Sequence, residues 1–284
     1  MTSPSKSEQP QPETPVERLL SSLLELAQDP HSKTAHHYRT SLRRFQAWSD
    51  VFHPQIAPAQ AAVLKSLEKL RKTAGKFRDS EVHLDLVKEL RTRHSGERKK
   101  LQKALKAKRN SYAKKLRRSL HDVALDEITT TLRSLERVPE PTGEDRAFHP
   151  IEGMTTLALD EYRAFVERHG KISRKNLHEY RLACKRFRYT AELAGENAEA
   201  VAMLEIWKGV QDSVGEWHDY LTLTDVADDT LGKSSIRTQL RKLTEKKYKA
   251  SCDIIQAAER KLIGGAAPKK GPRSAVSARK SRAA

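Results

Sequence analysis

The chain has 284 residues, which is enough for one large or two ordinary domains. Its 54 Lys and Arg outnumber 37 Asp and Glu, and the resulting net charge of +17 indicates an anionic partner. Two cysteines, Cys184 and Cys252, exclude a disulfide framework, and we expect a soluble cytoplasmic protein because neither a signal peptide nor a long apolar run is found.

The first half of the chain has the pattern of amphipathic helices. Residues 1–14 are rich in Ser, Pro, Gln and Glu and are predicted to be a disordered tail. After them, apolar residues recur at spacings of three and four, and period-two alternation is nowhere sustained. The pattern predicts helices at 15–28, 32–52, 58–93 and 95–137.

A break near the middle separates this half from a second one. Residues 138–148 contain Pro139, Pro141 and Gly143 between helical stretches, which is typical of a linker. Further helices are predicted at 150–169, 173–195, 198–230 and 233–262, followed by a disordered basic tail at 263–284. The sequence therefore predicts an all-α fold of two four-helix bundles, at 15–137 and 149–262.

One motif occurs in both halves. Residues 35–45 align without a gap with residues 177–187, so that His, Tyr, Arg, Phe and a pair of cations coincide. A fainter match follows nearly in register, with Gly75, Arg78 and Asp79 against Gly215, His218 and Asp219. These two matches predict that the bundles are related by internal duplication.

The motif places cations and apolar residues on opposite faces of a helix. At about 100° per residue, His36, Arg39 and Arg43 fall on one face, with Arg44 at its flank. The opposite face carries Tyr38, Leu42, Phe45 and Trp48. In the second copy the basic row is His178, Arg181, Lys185 and Arg188, next to Arg186, and the inner face carries Tyr180, Cys184 and Phe187.

Such a row is often only a solvated helix face. Like charges four residues apart, such as Arg39 with Arg43 and Arg181 with Lys185, nevertheless repel each other by roughly 0.2–0.5 kcal/mol. Because this arrangement occurs twice, each time beside a histidine, the sequence favours an anionic ligand over a solvated face.

The remaining motifs predict no catalytic residue, no metal site and no cofactor. Gly232-Lys233-Ser234 resembles the end of a phosphate loop, but the first glycine of that loop is missing and no strand precedes it. Asp79 and Asp219 are predicted to orient arginines or cap helices. The densest basic stretch is 97–118. One stripe of it is expected to extend an anion groove, for example at Arg109, Lys114 or Arg117.

These residues resemble the CHAD domain, a helical family named for its conserved histidines. The family hallmark matches His36, Arg39, Arg43 and Arg44, and again His178, Arg181, Lys185, Arg186 and Arg188. Gln46 stands where a cation is usual in the first copy, and Arg188 supplies that cation in the second. The resemblance covers about residues 15–262 and includes the downstream Gly and Asp pattern.

The resemblance implies a pseudo-twofold pair of bundles with both basic faces lining a central groove or pore. It also implies that the chain binds inorganic polyphosphate, as a non-catalytic adaptor or a protein associated with polyphosphate granules. The hallmark residues would bind the phosphates, supported by Arg78, Asp79, His218 and Asp219. Since Gln46 leaves the first copy short of a cation, we expect the second copy to carry more of the binding.

Several alternatives remain open. The chain could bind nucleic acid nonspecifically through its basic tail and residues 98–118, hydrolyse polyphosphate or triphosphate, or act as a protein-binding scaffold, and it could form a homo-oligomer. Both motif histidines stand among arginines, which disfavour the protonated imidazole until an anion binds. Polyphosphate binding is therefore expected to tighten as the pH falls from about 8 to 6.

Overall fold

The computed structural model describes residues 13–90, 94–137, 153–195 and 197–264. The helices of the first half are α1 (Pro15–Gln28), α2 (Ser32–Phe52), α3 (Pro58–Glu89), α4 (Ser95–His121) and α5 (Leu125–Ser134). Those of the second half are α6 (Met154–His169), α7 (Leu177–Glu192), α8 (Ala198–Leu231) and α9 (Ser235–Ile263). The described ranges contain no strand, so the all-α prediction is confirmed. The predicted linker lies outside the described residues, as do the two predicted tails except at their inner edges.

Several helices begin at sequence signals that satisfy their first backbone N–H groups. Thr14 Oγ1 accepts a hydrogen bond from Glu17 N at 3.1 Å, and the Glu17 carboxylate accepts one from Thr14 N at 2.9 Å. Pro58 opens α3, where its missing N–H costs nothing. Ser234 caps α9 by accepting a hydrogen bond from Arg237 N at 3.2 Å.

The single helix predicted over 95–137 is wrong, because the structure ends α4 at His121 and begins α5 at Leu125. The turn at residues 122–124 contains neither glycine nor proline, so no local signal marks it. The break lets α5 place Ile128 and Leu132 in the same apolar core as α1 and α2. The described residues before the linker thus form five helices instead of four.

The buried apolar residues form three clusters. One is built from α1 to α5, around Tyr38, Phe45 and Leu67, and a second from α6 to α9, around Phe187 and Trp207. The third joins the halves and contains residues of α3 and α4 together with residues of α8 and α9. The duplication and the two-bundle division themselves stay predictions.

Candidate anion-binding site

A cleft of about 810 Å³ lies where α2, α3, α7 and α8 meet. It forms because α2 and α7 pack against each other but bury their apolar faces in different cores. Tyr38 and Phe45 are fully buried in the first core, and Tyr180 and Phe187 are fully buried in the second. The basic faces of both helices are therefore left to line the space between the cores.

The row predicted on α2 lines the cleft in full, with His36, Arg39, Arg43 and Arg44. Arg39 Nη1 donates to Asp79 Oδ1 at 3.2 Å. Its guanidinium lies across α3 at Gly75, where an added Cβ would be 3.5 Å from Arg39 Cζ. In the first half of the chain, the glycine and aspartate of the downstream motif thus contact the arginine of the first motif.

The row predicted on α7 lines the cleft only in part, through Arg181, Lys185 and Arg188. Arg186 lies outside the cleft, where its Nε is 3.3 Å from Glu161 Oε2 and its side chain is 58% exposed. His178 is exposed and also outside the lining, with its ring centroid 5.3 Å from that of His218. The structure therefore brings seven of the nine predicted phosphate-binding residues together.

Lys185 is buried in the wall of the cleft, with 9% of its surface exposed. It makes no hydrogen bond or ion pair with any described residue. Burial, followed by the positive charges of Arg181 and Arg43, lowers the pKa of Lys185 to about 6. The amine is therefore mostly neutral at pH 7 while the cleft is empty, and an anion beside it would restore its charge.

Glu192 connects cations of the two helices. Its carboxylate accepts hydrogen bonds from Arg44 Nε at 2.6 Å and from Arg44 Nη2 at 3.4 Å. On the other side, Glu192 Oε1 lies 3.2 Å from Arg188 Nε. One carboxylate from the end of α7 thus fixes two arginines on opposite helices.

The predicted supporting residues lie partly inside and partly outside the lining of the cleft. Arg78, Asp79 and Asp219 line the cleft, whereas His218 does not. Arg78 Nη1 donates to Ser32 Oγ at 2.7 Å, which joins α3 to the start of α2. Burial and the charge of Asp79 raise the pKa of Asp219, and burial together with Arg181 lowers the pKa of His218 to about 4.

Positive charge dominates the cleft. Among the described residues that line it, eight are Lys or Arg and four are Asp or Glu. Burial and the nearby charges of Arg78 and Arg39 lower the pKa of His36, and burial with Arg71 lowers the pKa of Arg43 to about 10. These shifts reflect burial first and repulsion between neighbouring cations second, and an anion in the cleft would reduce that repulsion.

Some lining residues were not singled out by the sequence motifs. They are Lys33, His37, Thr40, Val82, Gln211, Asp212 and Glu216. Helical spacing could have found Lys33, three residues before His36, and Gln211, four residues before Gly215. The same spacing relates Thr40 to His36 and Val82 to Arg78. Which of these positions line the cleft depends on how the helices pack, for which the sequence has no local signal.

Known proteins resemble the chain in sequence and in fold. The family model of the CHAD domain matches residues 15–228. The chain belongs to the CHAD domain family. PptA from Streptomyces chartreusis has a similar structure, with a TM-score of 0.63, 15% identity and coverage of 87% of this chain and 98% of that one.

A second solved structure, the CHAD domain from the plant Ricinus communis, gives a TM-score of 0.60 at 16% identity and covers 90% of either chain. No curated protein sequence matches this chain significantly. At such low identity the structural likeness shows a shared fold. The roles of individual residues must therefore be argued from this chain's own geometry.

The densest basic helix of this CHAD protein does not extend the cleft. The expectation for Arg109, Lys114 or Arg117 is wrong, because none of the three lines it. Arg109 Nε instead lies 3.0 Å from Glu81 Oε1, and Lys114 and Arg117 are exposed. The basic character of α4 therefore concerns a different surface of the molecule.

Two further properties concern the part of the chain that the structure describes. There, no group of three or more His, Cys, Asp or Glu side chains is placed to hold a metal ion. None of the described helices is both long enough and apolar enough to cross a bilayer.

Proposed function

We propose that this CHAD protein binds inorganic polyphosphate in the cleft between α2 and α7, as a non-catalytic adaptor. The observation that carries the proposal is the convergence of two basic helix faces on one cleft where cations outnumber acids two to one among the described lining residues. Polyphosphate has a charge on every phosphate and no bases, so it requires a row of cations and no stacking platform.

Three motif cations in this cleft are available for a ligand. Arg43, Arg181 and Lys185 form no ion pair with any described residue, and the Nε of Arg181 is buried without a hydrogen-bond partner. They come from both helices, so a phosphate chain between α2 and α7 can contact all three. Charge-assisted hydrogen bonds from guanidinium groups are each worth about 1.5–3 kcal/mol.

The chemistry of the lining supports the proposed adaptor role. Asp79 already accepts a hydrogen bond from Arg39, and Asp219 faces Arg181 and Lys185. Asp79 thus holds a cation and Asp219 lies near the charges of two that form no ion pair with any described residue, and we propose that the protein retains polyphosphate without cleaving it. In the cell this activity would attach a cytoplasmic protein to polyphosphate granules.

The proposal is tested by retention of the full chain on immobilised long-chain polyphosphate at a stated salt concentration. The double variant Arg43→Gln/Arg181→Gln should lower the affinity at least about 100-fold, since two charge-assisted contacts are lost. The matched control Arg117→Gln/Arg186→Gln removes two exposed arginines outside the cleft and should stay within about threefold of wild type.

Equal losses in the two variants would overturn the cleft as the binding site. Duplex DNA added as a competitor at the same salt concentration should displace the protein poorly, and phosphate release with added Mg²⁺ should stay at background. Efficient displacement by DNA would favour nucleic-acid binding, and release of phosphate would favour a hydrolase.

A further inference from the structure

A second basic groove, with a volume of about 350 Å³, lies between α3 and α4. Its cationic lining residues are Lys69, Lys72, Lys76, Lys115 and Arg118. No acidic residue is among the described residues that line it, and none of its lining residues also lines the α2–α7 cleft. The groove therefore differs from the cleft in position and in charge balance.

The groove and the cleft use different faces of α3. Arg78 and Val82 line the cleft and lie about 40° apart around the helix. Lys69 and Lys76 lie roughly 120–180° away from these two residues, toward the opposite side of the helix, because successive residues turn by about 100°. One helix thus presents phosphate-binding groups on two separate surfaces.

The charges of the groove are almost entirely uncompensated. Within the described ranges Lys69, Lys76, Lys115 and Arg118 form no ion pair. Lys72 Nζ is 3.9 Å from a Glu68 carboxylate that Arg71 already binds at 2.5 Å and 2.7 Å. Cations that face each other across a concave surface raise the local positive potential and concentrate anions there.

The shape of the groove limits what can occupy it. Lys69 and Lys76 are about 10 Å apart along α3, at 1.5 Å per residue. An adjoining hollow lined by Asp122 and Glu127 bounds one end, and Glu81, paired with Arg109, lies beyond the other. The basic stretch thus matches a segment of a few consecutive phosphoryl groups.

The groove also lacks a free aromatic surface for stacking bases. Its one aromatic residue, Tyr112, is half-buried and packs against the first apolar core. Single-stranded nucleic acids normally combine phosphate contacts with stacking of bases on aromatic rings. The lining therefore favours a phosphate chain without bases.

We propose that the α3–α4 groove is a second polyphosphate site, weaker than the cleft, so that one molecule can hold two segments of polyphosphate on different faces. The inference rests on the proposed function of the cleft. Binding in the groove is weaker because its cations are exposed, where water and salt screen them. A protein with two such sites links separate chains and brings them together into a dense phase.

The test is calorimetric titration of the full chain with short-chain polyphosphate. The groove variant Lys69→Gln/Lys76→Gln/Lys115→Gln/Arg118→Gln changes exposed residues only and should keep the fold, as circular dichroism will show. Its matched control is Lys99→Gln/Lys100→Gln/Lys103→Gln/Lys106→Gln, which removes the same charge from exposed positions of α4 outside both sites. The cleft variant is Arg43→Gln/Arg181→Gln.

The control should bind like wild type, whereas the groove variant should lose the weaker class of sites and keep the tighter one. The cleft variant should lose the tighter class. With long-chain polyphosphate, wild type and control should become turbid, and the groove variant should need at least about tenfold more protein for the same turbidity.

A groove variant that titrates like its control would overturn the inference while leaving the cleft intact. Loss of DNA binding in the groove variant, with polyphosphate binding unchanged, would overturn it in favour of nucleic acid. A cleft variant that binds like wild type would contradict the proposed function of the cleft, whatever the groove variant shows.

Discussion

The two copies of the basic motif, on α2 and on α7, have similar sequences and different surroundings. Arg39 and Arg181 occupy equivalent positions, yet Arg39 donates to Asp79 and Arg181 has no ion pair among the described residues. Arg43 and Lys185 are also equivalent, and only Lys185 is buried. A repeated motif thus determines which cations face the cleft. Residues on other helices determine whether each cation is already in an ion pair or buried.

The flanking positions differ even more. Arg44 reaches across the cleft to Glu192 of α7, whereas its counterpart Arg186 turns away toward Glu161 of α6. Gln46 donates to Glu68 at 3.3 Å, while its counterpart Arg188 lines the cleft. The two half-sites, meaning the motif residues of α2 and those of α7 that line the cleft, therefore contain the same number of arginines and lysines. They differ in how many of these cations form an ion pair.

The largest expected effect is a difference in polyphosphate affinity between variants of Arg181 and Arg39. Arg181→Gln should weaken polyphosphate binding about 30-fold, because an unengaged guanidinium gives its full charge-assisted hydrogen bond, worth about 2 kcal/mol, to phosphate. Arg39→Gln should cost only about fivefold, because the donors of Arg39 must first be shared with Asp79. Affinities from calorimetry at one salt concentration measure both, and equal losses would mean that the half-sites are equivalent.

A smaller expected effect is a difference between variants of Lys185 and Arg43 in how the free energy of unfolding depends on pH. The folded-state pKa of Lys185 is about 6, below its ordinary value of 10.5, so the unfolded chain binds more protons between those pH values. Wild-type stability should therefore rise with pH across that window. Lys185→Met should remove this slope, raise the free energy of unfolding by about 1–3 kcal/mol near pH 6, and weaken binding.

Denaturant unfolding at pH 6, 8 and 9.5 measures this slope. Arg43→Met is the control, because the pKa of Arg43 is lowered only to about 10 and the group stays charged below pH 9. A Lys185→Met protein that is no more stable than wild type at pH 6 would contradict the idea that the lysine is held uncharged by burial.

The smallest effect separates His36 from His178. Burial and neighbouring cations hold the pKa of His36 below 6.5 in the empty cleft, and a bound phosphate raises it. Binding then takes up a proton, so affinity should rise as the pH falls from about 7 to 5.5. His36→Gln should flatten this part of the profile by about twofold to fivefold. His178→Gln should leave it unchanged, since His178 lies outside the lining; an equal flattening in both would refute the distinction.

Much of this fold could be predicted because its signals are local. Apolar spacing gave the helices, and Thr14, Pro58 and Ser234 mark helix starts. The break at residues 122–124 could not be predicted in this way, because it depends on Ile128 and Leu132 reaching a core built mostly by distant residues.

The candidate site follows the same division. The 100° rule places the row of α2, and Arg181, Lys185 and Arg188 of α7, on faces that line the cleft opposite the apolar faces. It could not distinguish Arg44 from Arg186, because their partners Glu192 and Glu161 come from outside the motif. The α3–α4 groove could not be predicted for a similar reason, since two of its five cations belong to α4, which was predicted to extend the other site.

Glu192 has a consequence for the rate and specificity of ligand exchange. Because it holds Arg44 and Arg188 in place in the empty cleft, those side chains have already lost their rotational freedom before a ligand arrives. An incoming phosphate needs only to replace one carboxylate, and a departing phosphate is replaced by it. The Glu192 carboxylate thus competes with every incoming anion for Arg44 and Arg188. An anion of low charge density cannot displace the carboxylate, whereas one of high charge density can.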